Sequence, residues 1–97
     1  MLHHIILIKW VDGVSASHVE LARRELKNFA GTLAGVVSYD CGPNAGFSEG
    51  ASDFAVSAVF EDEAAWRVYD EADEHNRIRR EIFGPNVAER KVIQFFS

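Results

Sequence analysis

The sequence predicts an α+β fold, βαββαβ in chain order, with two helices on one face of a four-stranded antiparallel sheet. Three observations predict it. Four short apolar runs rich in Ile, Val and Phe punctuate the chain, two segments of helical periodicity lie between them, and the 97 residues suit one domain spanning 1–97. A chain of this length buries roughly 60–70% of its unfolded surface, enough for one core without disulfides or a structural metal.

The run Leu2 to Trp10 opens the chain and is too short and too Ile-rich for a helix. Both its even positions (Leu2, His4, Ile6, Ile8, Trp10) and its odd ones (His3, Ile5, Leu7, Lys9) include bulky apolar residues, as in a central strand buried on both faces. Asp12-Gly13 breaks it. Ser17-His18-Val19-Glu20 reads as a capping box, and Val19, Ala22, Leu26, Phe29 and Leu33 follow at three- and four-residue steps, an amphipathic helix ended by Gly35. Val36 to Asp40 is a short strand, and Cys41 to Ser52, rich in Gly, Pro, Asn and Ser, is a loop. No Gly-Lys-Ser/Thr follows and the loop leads into a strand, so it is a hairpin connection rather than a phosphate loop.

Phe54 to Phe60 alternates as a third strand. Asp62 is placed to cap a second helix through Ala65, Trp66, Val68, Tyr69 and Ala72. An acidic stretch ends at His75-Asn76, a shorter helical segment with Ile78, Ile82 and Phe83 stops at Gly84-Pro85, and Val87 to Phe96 closes the chain as a strand. The order is that of a ferredoxin-like domain, with one sheet face under the helices. Ile5, Leu7 and alternate residues of the later strands leave the other face too apolar for a monomer, so a second copy covering it, a two-fold homodimer, is expected.

Composition narrows the function classes. A net charge of −5 argues against a nucleic-acid surface, and the one basic cluster, Arg77, Arg79 and Arg80, is interleaved with Glu81 and reads as a solvated helix face rather than an anion site. The single cysteine, Cys41, excludes an intramolecular disulfide, lacks a basic neighbour that would make it a nucleophile, and fits a reducing, cytoplasmic compartment. No apolar run approaches membrane-spanning length, so no membrane partner is expected. His3, His4, His18 and His75 lack metal-ligand spacing, and no metal or other cofactor is expected. His18 reads as solvent-facing, and Trp10 and Trp66 as packing residues.

His4-Ile5-Ile6-Leu7-Ile8-Lys9-Trp10, the Gly42 loop, Asp53 to Phe60, and Tyr69 six residues before His75 together resemble the stress-responsive α/β-barrel (Dabb) family over essentially the whole chain. The resemblance implies a dimeric α+β barrel built from two ferredoxin-like subunits. One plant branch, olivetolic acid cyclase, is a cofactor-free polyketide cyclase. Its functional histidine of the first strand, tyrosine of the second helix and histidine closing that helix correspond to His4, Tyr69 and His75. The family's His-Pro-Ala-His is here Ala72-Asp73-Glu74-His75, and Gln94 stands where an aspartate is common.

If even positions of the first strand face the helices, His4, Ile6 and Ile8 line a space between sheet and helices, with Ala22, Leu26 and Val56 beside them and Tyr69, His75 and Ile78 closing it. In such a cleft His75 serves as a base α to a carbonyl, Tyr69 donates to the developing enolate oxygen, and His4 binds a second carbonyl of a small apolar ligand. Along an unbroken helix Tyr69 and His75 lie about 120° apart, so they converge only if the helix ends or bends near Asp73, for instance with Asn76 as a new cap. The structural alternatives are a Tyr69 packed in the core with its hydroxyl at the rim, a His75 stabilised by a helix C-terminus, and a His4 satisfied at a strand end. Three functions follow: a cofactor-free enzyme on a small carbonyl compound, a non-catalytic homodimeric binding or stress-response module, and, with no haem or flavin signature behind it, a monooxygenase of the same superfamily.

Overall fold

The computed structural model describes all 97 residues. Alternation in β1 (Leu2–Trp10) decides which side of the sheet becomes the core: Leu2, His4, Ile6 and Ile8 are buried on one face, whereas Leu7 on the other is 40% exposed. β1 pairs with β3 (Phe54–Phe60) on one side and β4 (Val87–Phe96) on the other, and β2 (Val36–Pro43) completes an antiparallel sheet of order β2-β3-β1-β4. This is the ferredoxin-like α+β architecture, with the helices on the face of the even β1 residues. On the bare face Ile5 stands opposite Ile93 and His3 opposite Phe95, whose ring stacks on His3 at 4.6 Å. Ile93 and Phe95 are exposed in the single chain.

Two bulges shift the phase of the outer strands. In β4, Val87 faces Trp10 and Glu89 faces Lys9, which leaves Ala88 as the extra residue. In β2, Val36 faces Phe60 and Ser38 faces Val59, leaving Val37 as the extra one. β2 also runs three residues further than expected, to Pro43, so Cys41 is a buried strand residue rather than part of the loop. Gly42 and Pro43 are tolerated there because β2 is an edge strand. The loop proper, 44–53, is pinned by Asp53, whose carboxylate accepts from Trp10 N and whose own N–H donates to Ile8 O.

α1 (Ala16–Ala30) is capped two residues before the expected Ser17: Ser15 Oγ accepts from His18 N at 3.1 Å, and Ser17 Oγ only meets Ser15 Oγ. Each residue added to an existing helix gains a backbone bond, so the earlier of two available caps prevails. The helix stops at Gly31, not Gly35. Gly35 instead permits a close approach. A Cβ there would collide with that of Ala65, so only glycine lets α2 (Glu63–Glu71) lie this near the start of β2. Asp62 caps α2 as expected, its carboxylate accepting from Ala65 N at 2.8 Å.

The decisive local event is at Ala72, whose extended backbone (φ −62°, ψ 140°) breaks the helix. α3 (Asp73–Ile78) restarts immediately, and Asn76 is interior to it rather than its cap. A π-helical turn, Arg79–Phe83, and a 3₁₀ turn, Gly84–Asn86, lead into β4. The core between sheet and helices is closed by Ala22, Leu26 and Phe29 of α1, Tyr69 of α2, and Ile78 and Ile82. No helix is long and apolar enough to cross a membrane.

Candidate functional site

A cavity of about 220 Å³ opens between β1, β4 and the segment from α2 to the 3₁₀ turn. Its apolar wall is built by Ile6, Ile8, Leu26, Val56, Phe83 and Val87. His4, Tyr69, Asp70, His75, Arg79 and Arg90 supply its polar groups. An apolar recess with a few convergent polar side chains is the usual form of a small-molecule site. The expected lining residues Ile6, Ile8, Leu26 and Val56 are therefore on the wall. Ala22 and Ile78 are not: both are fully buried and pack into the core behind it. Ala22 is too short to reach past Leu26, and Ile78 lies on the buried side of α3.

The break at Ala72 brings the three candidate polar residues together. Turning the chain there cancels the angular offset of an unbroken helix, and the Tyr69 and His75 rings lie against each other, centroids 4.2 Å apart and planes tilted by 37°. His4 meets Tyr69 edge-on at 6.2 Å. Phe29 stacks on both Tyr69 and His75, fixing the pair from the α1 side. His75 thus sits in the short α3 just beyond the C-terminal turn of α2, and its ring meets the Asp70 carbonyl of that turn. That carbonyl favours the imidazolium as a helix C-terminus does, and burial outweighs it.

His75 is 6% exposed, and its Nδ1 lies 3.3 Å from the carbonyl oxygen of Asp70. A carbonyl only accepts, so Nδ1 bears the proton and Nε2 has the free lone pair. No protein group bonds Nε2, and it is not sealed from solvent as the orphaned Nε1 atoms of Trp10 and Trp66 are. Burial, reinforced by the Arg79 guanidinium, pushes the His75 imidazolium down to about 4, so the ring is neutral near pH 7. His4 is depressed for the same first reason, with Arg90 as the second. Its Nδ1 is 2.8 Å from Nε2 of Gln94; with that amide donating, His4 has its own proton on Nε2.

Tyr69 is 1% exposed, and burial raises its phenol to about 12. Its hydroxyl is 2.8 Å from that of Tyr39, a residue to which the sequence pattern does not point. The bulge at Val37 turns Tyr39 to the helix side, where strict alternation from Val36 would face it outward. The signal available was that Tyr39 and Tyr69 are the only two tyrosines of the chain. The bond from Tyr39 favours the Tyr69 phenolate and so counteracts part of the effect of burial.

Arg79 also departs from expectation. Its Nη1 pairs with Asp70 Oδ1 at 3.0 Å, its Nη2 donates to Asn76 Oδ1 and to the Asp70 carbonyl, and it lines the cavity rather than a solvated helix face. The π turn that begins at Arg79 places it there, and such turns are frequent at functional sites. Arg77, by contrast, does lie in a surface network with Glu25, Glu74 and Glu81. His18 is not free in solvent: Nε2 bonds the Ile82 carbonyl at 2.9 Å and tethers α1 to the π turn. Cys41 is buried and its thiol is pushed up to about 11, consistent with an inert side chain. No three His, Cys, Asp or Glu side chains are grouped as metal ligands would be.

Known proteins share this architecture. Among solved structures, a dimeric ferredoxin-like protein of unknown function from Thermobifida fusca YX is 29% identical, superposes with a TM-score of 0.90, and the match covers 99% of this chain and 90% of that one. A Dabb family protein with a ferredoxin-like fold from Mesorhizobium loti matches at 18% identity and TM-score 0.81, over 99% and 95% of the two chains. Hydroxynitrile lyase from Passiflora edulis matches at 13% and 0.81, over 97% and 90%, a likeness of fold alone. No curated protein matches in sequence. The model of the Stress Responsive A/B Barrel Domain (Dabb) matches residues 2–97, and the chain belongs to that family.

Proposed function

We propose that the cavity binds a small carbonyl compound and that His75, assisted by Tyr69 and His4, removes a proton from the carbon beside the carbonyl without a metal or nucleotide. One observation carries this reading: a neutral imidazole whose tautomer is fixed by the Asp70 carbonyl, with Nε2 unbonded, lying against the ring of Tyr69 in an apolar cavity. His75 Nε2 takes the proton and becomes imidazolium. Tyr69 O–H donates to the enolate oxygen while Tyr39 donates to Tyr69, which lowers the cost of negative charge at that phenol oxygen. His4 Nε2–H polarises a second carbonyl, the enolate carbon attacks it, and the imidazolium returns its proton to the new alkoxide. The sequence is an intramolecular aldol-type closure in which the base is regenerated.

A resting value near 4 makes His75 a weak base, and negative charge growing on the enolate raises it during transfer. The same weak basicity favours a second reading, a module that binds carbonyl compounds without turning them over. Proton–deuteron exchange α to the carbonyl of 4-phenylbutan-2-one, followed by NMR in D₂O, separates the two. Acceleration by the wild type, reduced about 100-fold in His75→Ala with the fold retained, supports the enzyme. Exchange unchanged in that variant refutes it, and binding without acceleration leaves the module.

We also infer that the chain works as a homodimer in which a second copy covers the bare sheet face. Leu7, Ile93 and Phe95 expose apolar surface there, and the relatives from Thermobifida fusca, Bacteroides fragilis and Jannaschia are described as dimeric. Ile93→Asp is expected to yield a monomer in sedimentation equilibrium; an unchanged mass would place the interface elsewhere.

A further inference from the structure

We propose that Arg90 makes the cavity selective for a keto acid, pairing with its carboxylate at the mouth while the carbonyl lies among His4, Tyr69 and His75. The inference rests on the reading of the cavity as a carbonyl site and names the class of compound it takes.

The charges around the cavity do not balance. Two arginines, Arg79 and Arg90, line it against one carboxylate, Asp70. Asp70 is committed to Arg79, which it holds through both its carboxylate and its carbonyl. Both histidines are held toward their neutral forms. One positive charge, that of Arg90, therefore stands without a counter-charge at the rim of an apolar recess, in a protein whose net charge is −5. The Arg90 side chain forms no ion pair and no hydrogen bond with any protein group, although an acidic residue precedes it in sequence. That neighbour, Glu89, pairs instead with Lys91 at 3.2 Å, and both point to the opposite face of β4.

Register fixes the geometry. Arg90 stands opposite Ile8, on the same face of the sheet as Gln94 opposite His4. Four residues of strand separate Arg90 from Gln94, on the order of 13 Å along β4. The long guanidinium stem shortens that reach, and Arg90 already acts on the His4 ring through its charge. A ligand with a carboxylate a few bonds from its carbonyl spans the distance between rim and base. Because Arg90 is exposed, the pairing is worth a modest factor and is screened by salt.

The probes are 4-oxo-4-phenylbutanoate and its methyl ester, titrated calorimetrically into the wild type, Arg90→Gln and Arg90→Lys. The wild type is expected to prefer the carboxylate by roughly five- to ten-fold at low salt. In Arg90→Gln that preference falls to about one while the ester's affinity stays unchanged, and Arg90→Lys retains part of it. A preference that survives in Arg90→Gln overturns the proposal. Equal binding of acid and ester by the wild type overturns it while leaving the carbonyl site intact, and failure of both to bind removes the two readings together. A ligand-free readout is the His4 ring titration by NMR: Arg90→Gln is expected to move it upward, and an unmoved value places Arg90 away from the site.

Discussion

Replacing His75 with phenylalanine is expected to flatten the acid side of the stability curve. In the folded chain the ring is 6% exposed between Phe29 and Tyr69, and its imidazolium is depressed to about 4 from an ordinary 6.5. Between those two values the unfolded chain takes up a proton that the folded chain refuses. Stability therefore rises with pH across that window and is lost as pH falls through it, with a slope of up to about 1.4 kcal/mol per pH unit. Integrated from pH 7 to pH 4 the loss from this one residue is roughly 3 kcal/mol, a large part of the 5–15 kcal/mol that typically holds a domain. His4 is depressed in the same direction and steepens the wild-type curve further. Urea unfolding at pH 7, 6, 5 and 4.5 measures it. Carboxylate protonation contributes equally to wild type and His75→Phe, so the difference between them isolates the ring. That difference narrows toward acid as the wild type loses stability faster; two parallel curves would show that His75 titrates normally and refute the account of its burial.

Two further expectations follow from the same region. Tyr39→Phe and Tyr69→Phe each leave the other hydroxyl without its 2.8 Å partner and cost about 1–2 kcal/mol, while the double variant costs scarcely more than either, a coupling that chemical denaturation resolves and strict additivity would disprove. Asp73→Pro occupies the first residue of α3 after an Ala72 already extended, so it is expected to raise stability by about 0.5–1 kcal/mol, and a drop in melting temperature would contradict the backbone geometry at the break.

The sheet was legible from the apolar run of β1, but with Ile5 and Leu7 at odd positions its helix-facing side was legible only as a condition, which the burial of His4, Ile6 and Ile8 meets. α2 was legible from Asp62 and the apolar spacing of Ala65, Trp66 and Tyr69. The meeting of Tyr69 with His75 was legible only as a condition, since nothing in the residues at Ala72 breaks a helix by itself, yet the backbone there is extended. Tyr39 and Arg79 were illegible for a shared reason. Each is turned inward by a one-residue irregularity, a bulge at Val37 and a π turn at 79–83, and such irregularities leave no mark on hydrophobic periodicity. Arg90 was hidden in the run Glu89-Arg90-Lys91, where three charges in sequence read as solvent and only register separates the middle one from its neighbours.

The bulge at Ala88 has a consequence for how the cavity could have arisen. Val87 and Arg90 both line it, yet they are three residues apart, and on a regular strand an odd separation sends two side chains to opposite faces. The supernumerary Ala88 restores their common orientation. Deleting that one small residue, which does not line the cavity, would leave Val87, Glu89 and Arg90 opposite Trp10, Lys9 and Ile8 in unbroken register, with Val87 and Arg90 still on one face and only the local bend of β4 lost. The bulge thus lets β4 carry an extra residue without turning the outer wall of the pocket away from the helices.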